Sequence, residues 1–216
     1  MSTVIESLKG KVSFTFIDAP HIVEFLPDNH FPSVPDGEQP RAWYMPVFDE
    51  TGKVVDVEGA EESLNVLRSA DEAEERERGA GFDCVWGFSQ GGAMAALAVG
   101  LRDRLQVQMP PPPLRSLRCV VFSSSVFAWP YHERARFAAA FPPIAPPFTL
   151  PSFHSMGKED EAIPPQLQID LYANFQDSAH RKWLEHEGDH CVASDPDSLN
   201  AYSEWFEAQL TALNSK

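Results

Sequence analysis

Apolar and polar positions divide this chain into alternating strand and helix signals. Residues 2–9 read as the end of a helix stopped by Gly10. Across 11–19, Val12, Phe14 and Phe16 alternate with other residues, the period-two pattern of a half-buried strand, and Pro20 closes it. Residues 21–46, rich in Pro, Asp and Asn, read as a long ordered loop. From 57 to about 78 the pattern is helical, with Leu64 and Leu67 on the inner face and a charged, solvated end at 71–78. A short strand follows at 84–86, then a helix of good formers from Gln90 to about Arg104. The run 117–123 is apolar throughout, as in a parallel strand covered on both faces. Strands at 151–156 and 181–185 flank a helix that starts with Pro165 in its first turn and ends near Phe175. Asp195 caps the last helix, with Pro196 at its first position. Leu199, Tyr202, Phe206, Leu210 and Leu213 form its apolar stripe. This alternation predicts one α/β domain over 1–216, with a mostly parallel sheet flanked by helices.

One segment breaks the rhythm. Residues 127–151 combine Trp129–Pro130, a short helix signal and five further prolines, directly after a strand's C-terminal end. Ligands of α/β sheets bind at that edge, so a lid-like insertion is expected there. Phe127 and Trp129 within it, with Phe88 beside the serine considered below, are candidate substrate contacts. For any single aromatic of the insertion, packing onto the sheet is the commoner use.

Charge and cysteine count narrow the function. A formal net charge of -15 argues against a nucleic-acid or anionic-membrane surface. No apolar run reaches the roughly 18 residues of a membrane span, and residues 1–10 lack the pattern of a secretory signal. Cys84, Cys119 and Cys191 are an odd number without metal-ligand spacing. A cytoplasmic protein without disulfides is expected, with the nucleus also open to it, and with no cofactor or metal.

The chemistry gathers around residues 84–92. A short strand runs into Gly87-Phe88-Ser89-Gln90-Gly91 and then into a helix. Strand, sharp turn and helix is the context a nucleophile elbow requires. The pentapeptide alone is equally compatible with a Gly-rich turn carrying an ordinary exposed serine. The order of partners carries more weight. Asp160 follows a strand, and His190 follows a later one, giving the order Ser, acid, His of α/β-hydrolases. Ser89 is then the nucleophile, His190 the proton carrier and Asp160 the residue that orients the imidazole. Gln90 offers its backbone N–H to the oxyanion. Glu159 and Glu161 flank Asp160, and either remains an alternative acid. His186 with Glu185 or Glu187 is an alternative metal pair.

These residues resemble a family. Ile17-Asp18-Ala19-Pro20-His21, Arg41-Ala42-Trp43, Gly87-Phe88-Ser89-Gln90-Gly91, Gly157-x-x-Asp160-x-x-Ile163-Pro164 and His186-x-Gly188-x-His190 are together similar to the FSH-type serine hydrolases. That family includes the ovarian-cancer-associated hydrolases and fungal trans-acting polyketide thioesterases. The resemblance covers nearly the whole chain. It implies an α/β-hydrolase fold, the triad Ser89, Asp160 and His190, and a small-molecule acyl ester or thioester as substrate. Through the fungal relatives it extends to acyl release in secondary metabolism and to an acyl-carrier domain as partner.

The chain departs from the family pattern at its start. Family members begin with a central strand ending in a Leu-His-Gly-type loop that supplies a second oxyanion N–H. No His-Gly dipeptide occurs in these 216 residues. The resemblance therefore implies a form cut short or naturally short that keeps the Gln90 N–H and lacks its partner, with residues 12–17 either shifted against 84–86 or poorly paired. The rival reading is a non-catalytic or weakly active relative that keeps the pocket as a binding site.

Overall fold

The computed structural model describes residues 1–23, 39–51, 54–104, 114–126, 147–176 and 179–214. In chain order its elements begin with α1 (Ser2–Ser7), β1 (His21–Ile22), β2 (Arg41–Ala42), β3 (Met45–Phe48) and β4 (Val54–Glu58). Then come α2 (Ala60–Arg78), β5 (Cys84–Phe88), α3 (Gln90–Arg104), β6 (Cys119–Ser123) and β7 (Ser152–Gly157). The chain continues through α4 (Pro165–Ala173), β8 (Arg181–His186) and α5 (Pro196–Asn214). Strands β5, β6, β7 and β8 lie side by side in that order, every neighbouring pair parallel. Each crossover among the described residues uses a helix or the 124–151 connection, as parallel pairing demands.

The period of two on β6 explains why the sheet is covered twice. Val120 and Phe122 join one apolar cluster with Leu64 and Leu67 of α2 and Met94, Leu97 and Leu101 of α3. Cys119 and Val121 face the other way, into a cluster with Val4 and Leu8 around α1 and Tyr202, Trp205 and Phe206 of α5. All five residues of β6 are buried, which is why its sequence is apolar without alternation. Helix α3 is buried on every side from Ala93 to Val99 and therefore shows no polar stripe.

Four expectations change. No strand forms at 11–19, and β5 has no laddered neighbour on its outer edge among the described residues. Phe14 meets Trp86 through side chains only, with ring centroids 6.2 Å apart, and Phe16 stays 64% exposed. Alternation marks which side of a segment is apolar; a strand also needs a partner backbone. The expected loop 21–46 instead contains β1 paired with β2, and β3 begins within it. The helix expected from 57 starts at Ala60, because Val57 pairs with Pro46 in the β3–β4 hairpin and Gly59, at φ 85, separates strand from helix. On α5 the buried positions are Ser198, Tyr202, Trp205, Phe206 and Gln209, with Leu199 packed against the same cluster, while Leu210 is 40% exposed.

His154 on β7 sits within the core. Its ring is tilted against Phe122 and meets Tyr172 and Phe175 edge to face, with Nε2 against the Ser152 hydroxyl at 3.0 Å. Burial, with Arg181 nearby, lowers its pKa from 6.5 to about 3. The unfolded chain takes up this proton at higher pH than the native protein. Stability is therefore complete above about pH 6.5 and is lost as pH falls towards 3. By pH 5 the loss from this one group is roughly 2 kcal/mol. Urea denaturation at pH 7 and pH 5 should show that much less acid destabilisation in His154→Gln than in the wild type. Parallel behaviour of the two proteins would exclude a buried neutral imidazole.

Candidate active site

The C-terminal ends of β5, β6, β7 and β8 meet at one edge, and the polar side chains converge there. Ser89 stands between β5 and α3 at φ 52, a left-handed conformation costly for a residue with a side chain. The surroundings hold it in place. Its N–H donates to Ser123 O at the end of β6 (3.0 Å), and its carbonyl accepts from Gly92 N–H (3.0 Å). The turn closes this tightly because Gly87 and Gly92 lie face to face. A Cβ on Gly87 would sit 2.4 Å from the Gly92 Cα.

Ser89 Oγ lies 2.9 Å from His190 Nε2. On the far side of the ring, His190 Nδ1 lies 3.0 Å from Asp160 Oδ2 and 3.1 Å from Oδ1. A carboxylate only accepts, so Nδ1 carries the proton and Nε2 is left to accept from the serine hydroxyl. Phe88 packs beside the imidazole, with ring centroids 4.8 Å apart. The arrangement can draw a proton from Ser89 and keep the resulting imidazolium paired with a carboxylate.

The Asp160 side chain is fully buried, whereas that of His190 is 20% exposed. Oδ1 accepts from Ala162 N–H (3.0 Å) and Ile163 N–H (2.9 Å), and Oδ2 from Gln168 Nε2 (3.1 Å). Burial pushes the carboxyl up. The hydrogen bonds from His190 and Ile163 N–H, the His190 charge and the Ser124 hydroxyl outweigh it and hold the group below its ordinary value. Glu159 and Glu161, the alternative acids, are both exposed. Gln168 is a residue that sequence reading missed. Its only signal was an uncharged amide on the inner face of the helix that follows Asp160.

The Gln90 side chain has a second use that its motif does not advertise. Its Oε1 accepts from Trp43 N–H (2.6 Å) and its Nε2 donates to Tyr44 O (2.8 Å). The Ser63 hydroxyl of α2 donates to Trp43 O. The Trp43–Tyr44 backbone between β2 and β3 is thus fastened to the start of α3 by a side chain that mimics a strand neighbour. Phe127 and Trp129 lie outside the described residues, as does most of the 127–151 insertion. Among the described residues no group of three or more His, Cys, Asp or Glu side chains could hold a metal. His186 points instead to the backbone, its Nδ1 accepting from Gly188 N–H.

The sheet, the strained serine turn and the carboxylate–imidazole–hydroxyl chain define an α/β-hydrolase. The chain matches the family described as Serine hydrolase (FSH1) over residues 1–202 and belongs to it. It is 27% identical to human Esterase OVCA2 over 94% of this chain and 85% of the human protein. It is 29% identical to Rhodanese-like domain-containing protein 6 of Arabidopsis thaliana, over 88% of this chain and 32% of that protein. Among solved structures, Arabidopsis thaliana SOBER1 superposes with a TM-score of 0.58 at 17% identity, covering 96% of this chain and 90% of SOBER1. Zea mays acyl-protein thioesterase 2 superposes with a TM-score of 0.53 at 18% identity, covering 80% and 74%. These two likenesses concern the fold. No described helix is long and apolar enough to cross a membrane.

The Gln90 clamp yields a direct test. Gln90→Leu keeps the backbone N–H but removes the acceptor of Trp43 N–H and the donor to Tyr44 O. Losing the acceptor of the half-buried Trp43 N–H costs about 1 kcal/mol, which urea denaturation should read as a lower midpoint with an unchanged slope. Unchanged stability would mean that the clamp bears no load.

Proposed function

We propose that this protein hydrolyses carboxylic esters or thioesters through an acyl-enzyme on Ser89. The observation that carries the reading is the continuous chain from Ser89 Oγ through His190 to the buried Asp160. In the first half, Ser89 Oγ attacks the acyl carbonyl while His190 Nε2 takes its proton. The Gln90 N–H donates to the oxyanion. The tetrahedral species collapses, and His190 gives the proton to the departing alcohol or thiol. In the second half a water attacks the acyl-serine with His190 again as base, and Ser89 leaves with the proton. Asp160 stays ionised throughout, because its hydrogen bonds favour the charged form. Phe88, against the imidazole, forms one wall of the acyl site, with Phe127 and Trp129 of the insertion as further substrate contacts.

The esterase name of the human relative supports the ester arm. The thioester arm follows from the same chemistry, since a thiol leaves more readily than an alcohol. An acyl chain on a carrier domain, and a place in secondary metabolism, are the most specialised form of this reading.

Ser89→Ala should lower turnover of p-nitrophenyl acetate by at least about 10³-fold and abolish labelling by a fluorophosphonate probe. A wild-type protein that takes no label would favour the binding-protein reading instead. Asp160→Asn should cost on the order of 10²–10⁴-fold in kcat, while Glu159→Gln and Glu161→Gln, both at exposed positions, should change it by less than about threefold. A larger loss from either glutamate would reassign the acid.

A further inference from the structure

The turn that delivers His190 begins at His186, the last residue of β8. His186 is only 6% exposed, yet the proposed reaction gives it no part. Its Nδ1 accepts the N–H of Gly188 at 3.2 Å. The proton of the neutral ring therefore sits on Nε2, which is buried without a protein partner among the described residues. The same turn is pressed onto the end of β7. Lys158 N–H donates to His186 O (2.9 Å) and Glu159 N–H to Gly188 O (3.1 Å). A Cβ on Gly157 would lie 2.1 Å from Asp189 O, so only a bare backbone allows this approach. On its far side the turn lies against the Ser124 hydroxyl, whose Oγ is 3.4 Å from Cys191 O. One end of β7 thus carries Asp160 and supports the turn that carries His190.

We propose that His186 is a positioning residue, whose neutral imidazole accepts the Gly188 N–H and so fixes the turn that sets His190 against Ser89. The inference rests on reading Ser89, His190 and Asp160 as the catalytic residues. A side-chain acceptor bonded to the N–H two residues on is the geometry of an Asx turn, here with an imidazole nitrogen in place of an asparagine oxygen. The device works only while the ring is neutral. Protonated, Nδ1 becomes a donor facing another donor, and the bond is lost. Four carboxylates bear on the ring: Asp195 ahead of α5, Asp160 beyond β7, and Asp189 and Glu187 on the turn itself. Burial disfavours the charged ring, outweighs all four and holds His186 below the ordinary histidine value. The turn is therefore closed at neutral pH and loosens only when acid stronger than an ordinary histidine needs protonates the ring.

The test compares the wild-type protein with His186→Asn and His186→Leu, measuring kcat and KM for p-nitrophenyl acetate between about pH 5 and 8. Fluorophosphonate labelling of the wild type serves as the control. Asparagine offers Oδ1 to the Gly188 N–H and does not titrate, whereas leucine fills the space without an acceptor. His186→Leu should lose about 10–100-fold in kcat at neutral pH with KM within about threefold, as a displaced catalytic group would. His186→Asn should stay within about threefold of wild type at pH 8, because Oδ1 replaces the imidazole acceptor, and should lose no more activity than wild type as the pH falls. Wild-type kcat in His186→Leu overturns the proposal. So does a His186→Asn variant that loses more than about threefold in kcat at pH 8, which decides the matter even if the leucine variant fails to fold. A wild-type protein that takes no label sinks the catalytic reading itself; a labelled wild type with unmoved variants sinks only the role of His186.

Discussion

A buried negative charge is the constraint that organises this molecule. The Asp160 side chain has no exposure to solvent, so every lone pair it cannot give to water must find a donor in the protein. The donors come from separate places. Ala162 and Ile163 supply N–H groups from the turn after β7, Gln168 an amide from α4, Ser124 a hydroxyl from the end of β6, and His190 an imidazole from the turn after β8. None of these segments holds its position by ladder bonds alone. The carboxylate makes them one structure, and the same bonds that repay its desolvation orient the imidazole towards Ser89. Removing the charge would loosen the site at several points, not at one.

How legible this was differs from element to element, for physical reasons. Strands β5 to β8 and the helices between them form where the apolar periodicity places them, and β6 and α3, covered on every side, show it most plainly. The span of α3 matches the sequence expectation, since small apolar residues right after the elbow leave no other use for them. The 11–19 segment failed because alternation does not guarantee a neighbouring backbone, and without one even Phe16 is left 64% exposed. The β3–β4 hairpin was missed for the opposite cause. Pro46 within the run and the break in register between Val47 and Phe48 erase a clean period-two signal, although the strands pair. At the site, Ser89, Asp160 and His190 were readable by order along the chain. Gln168, Ser124 and the Gln90 side chain were not, because their roles depend on which backbone groups folding leaves without partners.

That last point connects the site to the layer beneath it. The ladder of a parallel sheet ends where its strands end, and here β5, β6 and β7 finish under the elbow. Below that level the strand ends are tied by hydroxyls. Trp86 Nε1 donates to Ser123 Oγ (3.0 Å), Ser155 Oγ to Ser123 Oγ (3.0 Å), and Tyr202 OH to Ser155 Oγ (3.1 Å). Ser125 Oγ reaches Ser123 O (2.9 Å) and Gly87 O (3.2 Å), so the residue before the elbow is held by the same group. Small hydroxyl side chains suit this layer because each can donate and accept within the width of a strand. A larger polar residue would separate the strands, and an apolar one would leave carbonyls unmatched. The run Ser123-Ser124-Ser125 therefore looks unremarkable as sequence, yet it carries load from α5 to the elbow. A strained serine at φ 52 can persist only where the structure around it is over-determined, and this hydroxyl layer, with the buried carboxylate above it, supplies that excess of constraint.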